Sequence, residues 1–221
     1  MAAIVNYQTL QDAVTQYLIH SDDAGLFDTF LKLAENRFNK ELRVRELVSG
    51  TVGSSGAAFV SSNVTLSADF VEPIAIYLSS PVGDSGSLSY LPPNKFFNLK
   101  SSHSGVGLPK YYTIFGNKMH FSPFGTSCTV NWHYYKELTP LTSANATNEL
   151  MPSAANLYLY GVLLEAQPFL NQPERITEFE SFYDRAKDSL IAADARARLR
   201  PGVGQRMRAS GVTADGVFRI P

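Results

Sequence analysis

One cysteine, Cys128, is all the thiol chemistry available in 221 residues. An intramolecular disulfide is therefore excluded, as is any zinc site that needs two or more thiolates. Cys128 falls in the alternating stretch Cys128-Thr129-Val130-Asn131-Trp132, which reads as a strand position with no neighbour that would lower a thiol pKa. Histidine is nearly as sparse: His20, His103, His120 and His133 form neither HxxxH nor HxH. His120 and His133 fall in expected strands, either as ordinary strand positions or as a pair sharing one face for metal or catalysis. No GxSxG elbow and no GxxxxGK[ST] phosphate loop occurs. No catalytic residue, cofactor or metal is expected.

Charge of one sign is also lacking. The net charge of −1 gives the chain as a whole no attraction for nucleic acid or an anionic membrane. No apolar stretch approaches the roughly 20 residues that span a bilayer. The first residues, MAAIVNYQTLQDAV, lack the basic segment and apolar run of a secretory leader. Assembly in a cytoplasm is expected, and the sequons at Asn63 and Asn145 are expected to carry no glycan.

What is present begins with helix. The spacing of Leu10, Val14, Tyr17 and Leu18 predicts a first helix over 9–19, with Thr9 and Asp12 approximating a capping box. Ser21-Asp22-Asp23 breaks it and caps a second, over 25–43, whose stripe is Phe27, Phe30, Leu31, Ala34, Phe38 and Leu42. The turn-rich run from Ser49 to Gly56 ends this helical part. Short strands then follow at 64–66, 74–78, 88–91, 111–115, 118–122 and 129–136. Gly116-Asn117 is a two-residue hairpin turn that supplies the positive φ of a primed turn. Pro92-Pro93 and Phe96-Phe97 suggest a turn or two of helix, and 83–86 and 101–107 read as Ser/Gly-rich loops.

Helix returns after Pro152. Residues 154–170 are apolar nearly all round, the mark of a buried helix. After Pro173 a last helix runs to about Leu199, with the seam Ile176, Phe179, Tyr183, Ala186, Leu190, Ala193 and Ala197 and a length on the order of 40 Å. The fold expected is α+β: a helical bundle built from N- and C-terminal helix pairs, with an inserted antiparallel β domain and an extended C-terminal arm. Its parts are 1–47, the N-terminal half of the bundle; 48–150, the β insertion; 151–200, the C-terminal half; and 201–221, a flexible arm.

Three features compete for function. Paired carboxylates would suit a cell-wall glycoside hydrolase, and Glu35, Glu41, Glu46, Glu165, Glu178 and Glu180 lie in helical segments or at their ends. Glu165, inside the most apolar helix, reads as an ion-pair partner of Arg37, Arg43 or Arg45. Aromatic clusters offer Phe96, Trp132 and Tyr134 as core residues and candidates for a subunit interface. Arg196, Arg198, Arg200, Arg206 and Arg208 occur with no acid between them. They complement the helix dipole, contact phosphate as a DNA-binding module, or dock on an acidic surface of another subunit.

The order of these segments carries a resemblance. FDTFLKLAENRFNKELRVREL from Phe27 leads to Leu66-Ser67-Ala68-Asp69-Phe70. Leu108-Pro109-Lys110-Tyr111-Tyr112-Thr113-Ile114 follows, then Asn131–Lys136, then Asn156-Leu157-Tyr158-Leu159-Tyr160-Gly161, then a long helix with an Arg-rich end. Over roughly residues 5 to 205 this resembles the tailed-bacteriophage head-to-tail adaptor, or connector, proteins. Ser67-Ala68 departs from the Leu-Pro-x-Asp-Phe form expected there. The resemblance implies a virion structural protein with no catalytic set. It also implies a homo-oligomeric ring, typically a dodecamer, between the portal and a downstream tail or nozzle protein, with DNA passing through its centre and no membrane involved.

Overall fold

A computed structural model describes residues 3–17, 26–49, 57–59, 62–80, 86–102, 106–125, 128–169 and 175–198. The fold is α+β, and the chain divides into two compact units. Residues 1–45 and 140–221 make one, and 46–139 make the other.

The first unit is helical in its described residues: α1 (Tyr7–Tyr17), α2 (Phe27–Glu41), α4 (Met151–Ala166) and α5 (Ile176–Arg198). Ten of the 16 residues of α4 are buried, so this helix touches α1, α2 and α5 and supplies a larger share of the unit's core than any other helix. That follows from an apolar surface on every side, which no single neighbour could cover. α1 starts two residues before the position expected, because Asn6 and not Thr9 caps it. The Asn6 carboxamide accepts the Thr9 N–H at 2.9 Å, and Thr9 Oγ1 accepts the Asn6 N–H at 3.0 Å. Asn148 Oδ1 performs the same service for α4, accepting the Met151 N–H at 3.0 Å. The backbone then kinks at Ala154. The proposed cap at Ser21-Asp22-Asp23 lies outside the described residues.

The seam expected along α5 holds through Phe179, Tyr183 and Leu190 and then shifts. Ala193 and Ala197 are exposed, while Asp194 is buried in their place. The cause is polar: the Asp194 carboxylate accepts the Arg45 backbone N–H at 3.1 Å.

Among its described residues the second unit holds nine strands and one α-helix. β1 (Ala57–Phe59), β9 (Cys128–Lys136) and β3 (Phe70–Ser80) form one sheet in the order β1-β9-β3. β2 (Asn63–Thr65), β7 (Lys118–Ser122), β6 (Tyr111–Phe115) and β4 (Ser89–Tyr90) form the next, in the order β2-β7-β6-β4. β5 (Val106–Gly107) and β8 (Phe124–Gly125) pair separately. β6 and β7 are the hairpin expected: Phe115 pairs with Lys118 across Gly116-Asn117, and Gly116 has φ +60°. β3 is far longer than the strand expected over 74–78, because irregular register with β9 absorbs Pro73 and its missing N–H. α3 (Pro93–Ser102) also runs longer than a turn or two and takes Ser101 and Ser102 out of the expected loop.

Side chains from both larger sheets form one core, including Ile76, Leu78, Met119, Phe121, Val130 and Trp132. Ile114, Met119 and Phe121 alternate onto this face of the hairpin, so Thr113, Phe115, Lys118 and His120 stand on the other, where α3 meets β6. Residues 140–150, placed with the β insertion by sequence, belong to the helical unit.

Candidate functional site

The basic end of α5 is the first candidate. Of the five arginines singled out, Arg196 and Arg198 are described, and Arg200, Arg206 and Arg208 lie outside the described residues. Arg196 Nε donates to the Ala192 carbonyl at 3.1 Å, closing the last turn of its own helix. Arg198 Nε meets Asp194 Oδ2 at 2.7 Å, and its Nη2 donates to the Arg43 carbonyl at 3.3 Å. Asp194 also holds the Arg45 N–H, so the end of α5 is tied to the chain that leaves α2. Arg198 is thus committed to holding α5 in place. A free docking role would fall to the arginines beyond it.

The helical carboxylates are the enzyme candidates, and two of them, Glu165 and Glu35, are held by structural partners. Glu165 pairs with Arg37, the first of the three partners expected, at 2.5 Å from Nη2 and 2.7 Å from Nε. Glu35 was one of several helical acids in the sequence with nothing to single it out. In the fold it is 6 % exposed, and burial pushes its carboxyl up to about 7. A carboxyl poised there could serve as a general acid. Its geometry says otherwise. Oε1 accepts the Leu141 N–H at 2.9 Å and lies 3.4 Å from the Tyr158 hydroxyl, which itself accepts from Asn148 Nδ2 at 2.6 Å. Glu35 clamps the 140s segment and α4 onto α2, and its Oε1 is taken up by these structural partners. The signal that would have found it is an acid interrupting the apolar stripe of α2 beside Leu31, Ala34 and Phe38.

The two strand histidines do not come together. His120 lies in β7 against Phe97, with rings 5.8 Å apart, and burial lowers its pKa, helped by Lys100 and Lys118. His133 lies in β9 of the other sheet, its Nε2 3.5 Å from the Tyr77 hydroxyl. Among the described residues no group of three His, Cys, Asp or Glu side chains is placed to hold a metal. Cys128 is buried in the core, which pushes its thiol up.

Phe96, Trp132 and Tyr134, read as candidates for a subunit interface, are 0 %, 9 % and 8 % exposed within the protomer. Their burial is sufficient to explain them. Trp132 belongs to the sheet core, and Tyr134 stacks near Phe70 and donates to Asp69 at 3.2 Å. Among the described residues, Tyr90, Phe97 and Phe115 are the aromatic rings left most open on this unit. The difference is one of strand phase: an aromatic run marks a strand, but only the register tells which alternate ring faces out.

No helix among the described residues is long and apolar enough to cross a membrane. Comparison with curated proteins finds no match. A family model described as SU10 adaptor protein, a family of phage head-tail adaptors, matches residues 5–206. The match takes in both compact units, the Glu35 clamp and the basic end of α5. This chain belongs to the SU10 adaptor protein family.

Proposed function

We propose that this protein is a non-catalytic structural adaptor at the head-tail junction of a tailed phage. Copies assemble into a ring that joins the portal above to a tail or nozzle protein below and leaves a channel for DNA. The family match over residues 5–206 carries this reading, because it spans the whole two-unit architecture and not a single motif. The dispositions of the acids agree with it: the perturbed carboxyl, Glu35, is occupied in holding helix to loop. The helices of the first unit serve as a bundle, and residues 201–221 serve as an arm. Heterologous contacts between unlike surfaces of one chain close into rings when the rotation between copies permits.

Electron microscopy of the purified protein mixed with the portal of the same phage tests the proposal. A second ring below the portal is the expected result. A portal that remains bare at saturating protein overturns it.

A further inference from the structure

Acidic residues are missing from a long stretch of the second unit. Between Ser85 and Tyr135 the sequence holds no Asp or Glu, while Lys95, Lys100, Lys110 and Lys118 all fall within it. The fold brings two of these lysines, Lys100 and Lys118, onto one face. Lys95 and Lys100 lie on α3 and Lys118 on β7, and the latter two act electrostatically on His120 beside them. In the middle of this face the Phe97 ring meets Phe115 edge-on at 5.9 Å, and the two residues are 39 % and 61 % exposed. An open aromatic pair with lysines around it has the composition of a protein contact: apolar anchors inside, charge at the rim. A surface for DNA backbone alone would need the cations and not the rings.

The complementary surface lies on α5. Glu180, Asp184 and Asp188 are exposed at intervals of four and share a shallow groove with Thr177, Ser181 and Arg185. Exposed Ile191 follows on the next turn. Asp184 pairs with Lys187 at 2.9 Å, whereas Glu180 and Asp188 form no ion pair with a described residue. Acids spaced four apart on a helix repel one another. Glu180 and Asp188 therefore add no ion pair to α5 itself.

We propose that the α3 and β6–β7 face of one copy receives the acidic face of α5 from a second copy, as the heterologous contact of the ring. Lysines meet the Glu180–Asp188 stripe, and Phe115 and Phe97 have Ile191 as an apolar counterpart. This rests on the ring reading above, and the test separates the two.

The experiment is a charge swap in the full-length chain, read by light scattering and by electron microscopy with portal. Lys100→Glu with Lys118→Glu reverses one face, and Glu180→Lys with Asp188→Lys reverses the other. Asp184 is left alone so that its pair with Lys187 survives, and circular dichroism checks the fold of each variant. Each double variant should assemble about tenfold or more weakly than wild type, and combining all four substitutions should restore assembly. Wild type that assembles together with a reversed variant that assembles equally well overturns the contact while leaving the ring intact. Loss in both variants without rescue in the combination shows that these faces do not meet, and also overturns it. Wild type that stays monomeric with and without portal removes the ring reading, and the inference with it. If the lysine reversals spare assembly but abolish retention of duplex DNA, the face serves nucleic acid and the proposal is wrong.

Discussion

Phe38 of α2 lies with its ring against the backbone of Gly161 in α4. A Cβ placed on Gly161 would come within 2.8 Å of Phe38 Cζ and 2.9 Å of Cε1. The same ring is met edge-on by Tyr158 at 5.1 Å and lies parallel to Tyr183 of α5 at 6.1 Å, so three helices are keyed at one aromatic side chain. Polar contacts surround it: Tyr183 donates to Glu41 at 3.0 Å, and Lys187 reaches the same carboxylate at 3.0 Å. A helix with Gly in its interior gives up about 1 kcal/mol relative to Ala. Here that loss is offset by the close approach of α2.

Gly161→Ala should therefore destabilise the protein despite its better helix propensity. Overpacking a ring held on both sides costs roughly 1–3 kcal/mol against a propensity gain of about 1 kcal/mol, so a net loss of up to about 2 kcal/mol is expected. Chemical denaturation measures it. A variant more stable than wild type would show that Phe38 has room to move.

Glu35 should make stability depend on pH. Its folded pKa, about 7, stands above the ordinary carboxyl value of 4.5. The contribution to stability is complete below about pH 4.5, where both states are protonated, and is lost as pH rises to 7. That loss is on the order of 3 kcal/mol. Glu35→Gln keeps an acceptor for the Leu141 N–H and removes this part of the slope. Urea melts at pH 5 and pH 8 should find the variant close to wild type at the lower pH and more stable at the higher. Parallel pH profiles for the two proteins would contradict this.

At the end of α5, Asp194 should matter more than Arg198. Asp194→Ala leaves the Arg45 N–H without its acceptor and should cost about 1–3 kcal/mol, whereas Asp194→Asn retains an oxygen for it and should cost less. Arg198 is a partly exposed partner whose pair with Asp194 contributes under about 1 kcal/mol, so Arg198→Ala should be mild. Thermal unfolding orders the three variants, and an Arg198→Ala loss larger than that of Asp194→Ala reverses the assignment.

Deleting residues 200–221 should abolish attachment to portal and leave the helical content unchanged. Arg200, Arg206 and Arg208 go with the segment, while the Arg198–Asp194 pair stays. Co-sedimentation with portal reads the first outcome and circular dichroism the second. Normal attachment by the truncated chain would remove the docking role from this arm.

Much of the fold was legible because its signals are local. The hairpin at Gly116-Asn117 was placed to the residue, since a primed turn demands particular backbone angles whatever surrounds it. The buried character of α4 was equally plain, since an apolar surface all round has one stable environment. The ion pair of Glu165 was foreseen as a class, though not its choice of Arg37 among three arginines. The candidate site was read less well. Five arginines made one pattern in the sequence, yet Arg198 is held by Asp194, and Phe96, Trp132 and Tyr134 are core residues.

By itself, then, the sequence determined the four helices of the first unit, the β6–β7 hairpin and the family whose order of segments it shares. Periodicity and turn chemistry act within a few residues, so the chain carries them wherever it goes. Only the tertiary structure decided that Glu35 and Asp194 are buried acids with backbone partners, that Gly161 makes room for Phe38, and that lysines from α3 and β7 share a face with Phe97 and Phe115. Those facts join residues up to 149 positions apart. A contact at that separation depends on how elements pack and on which alternate side chain turns inward, and neither is contained in the spacing of any one segment.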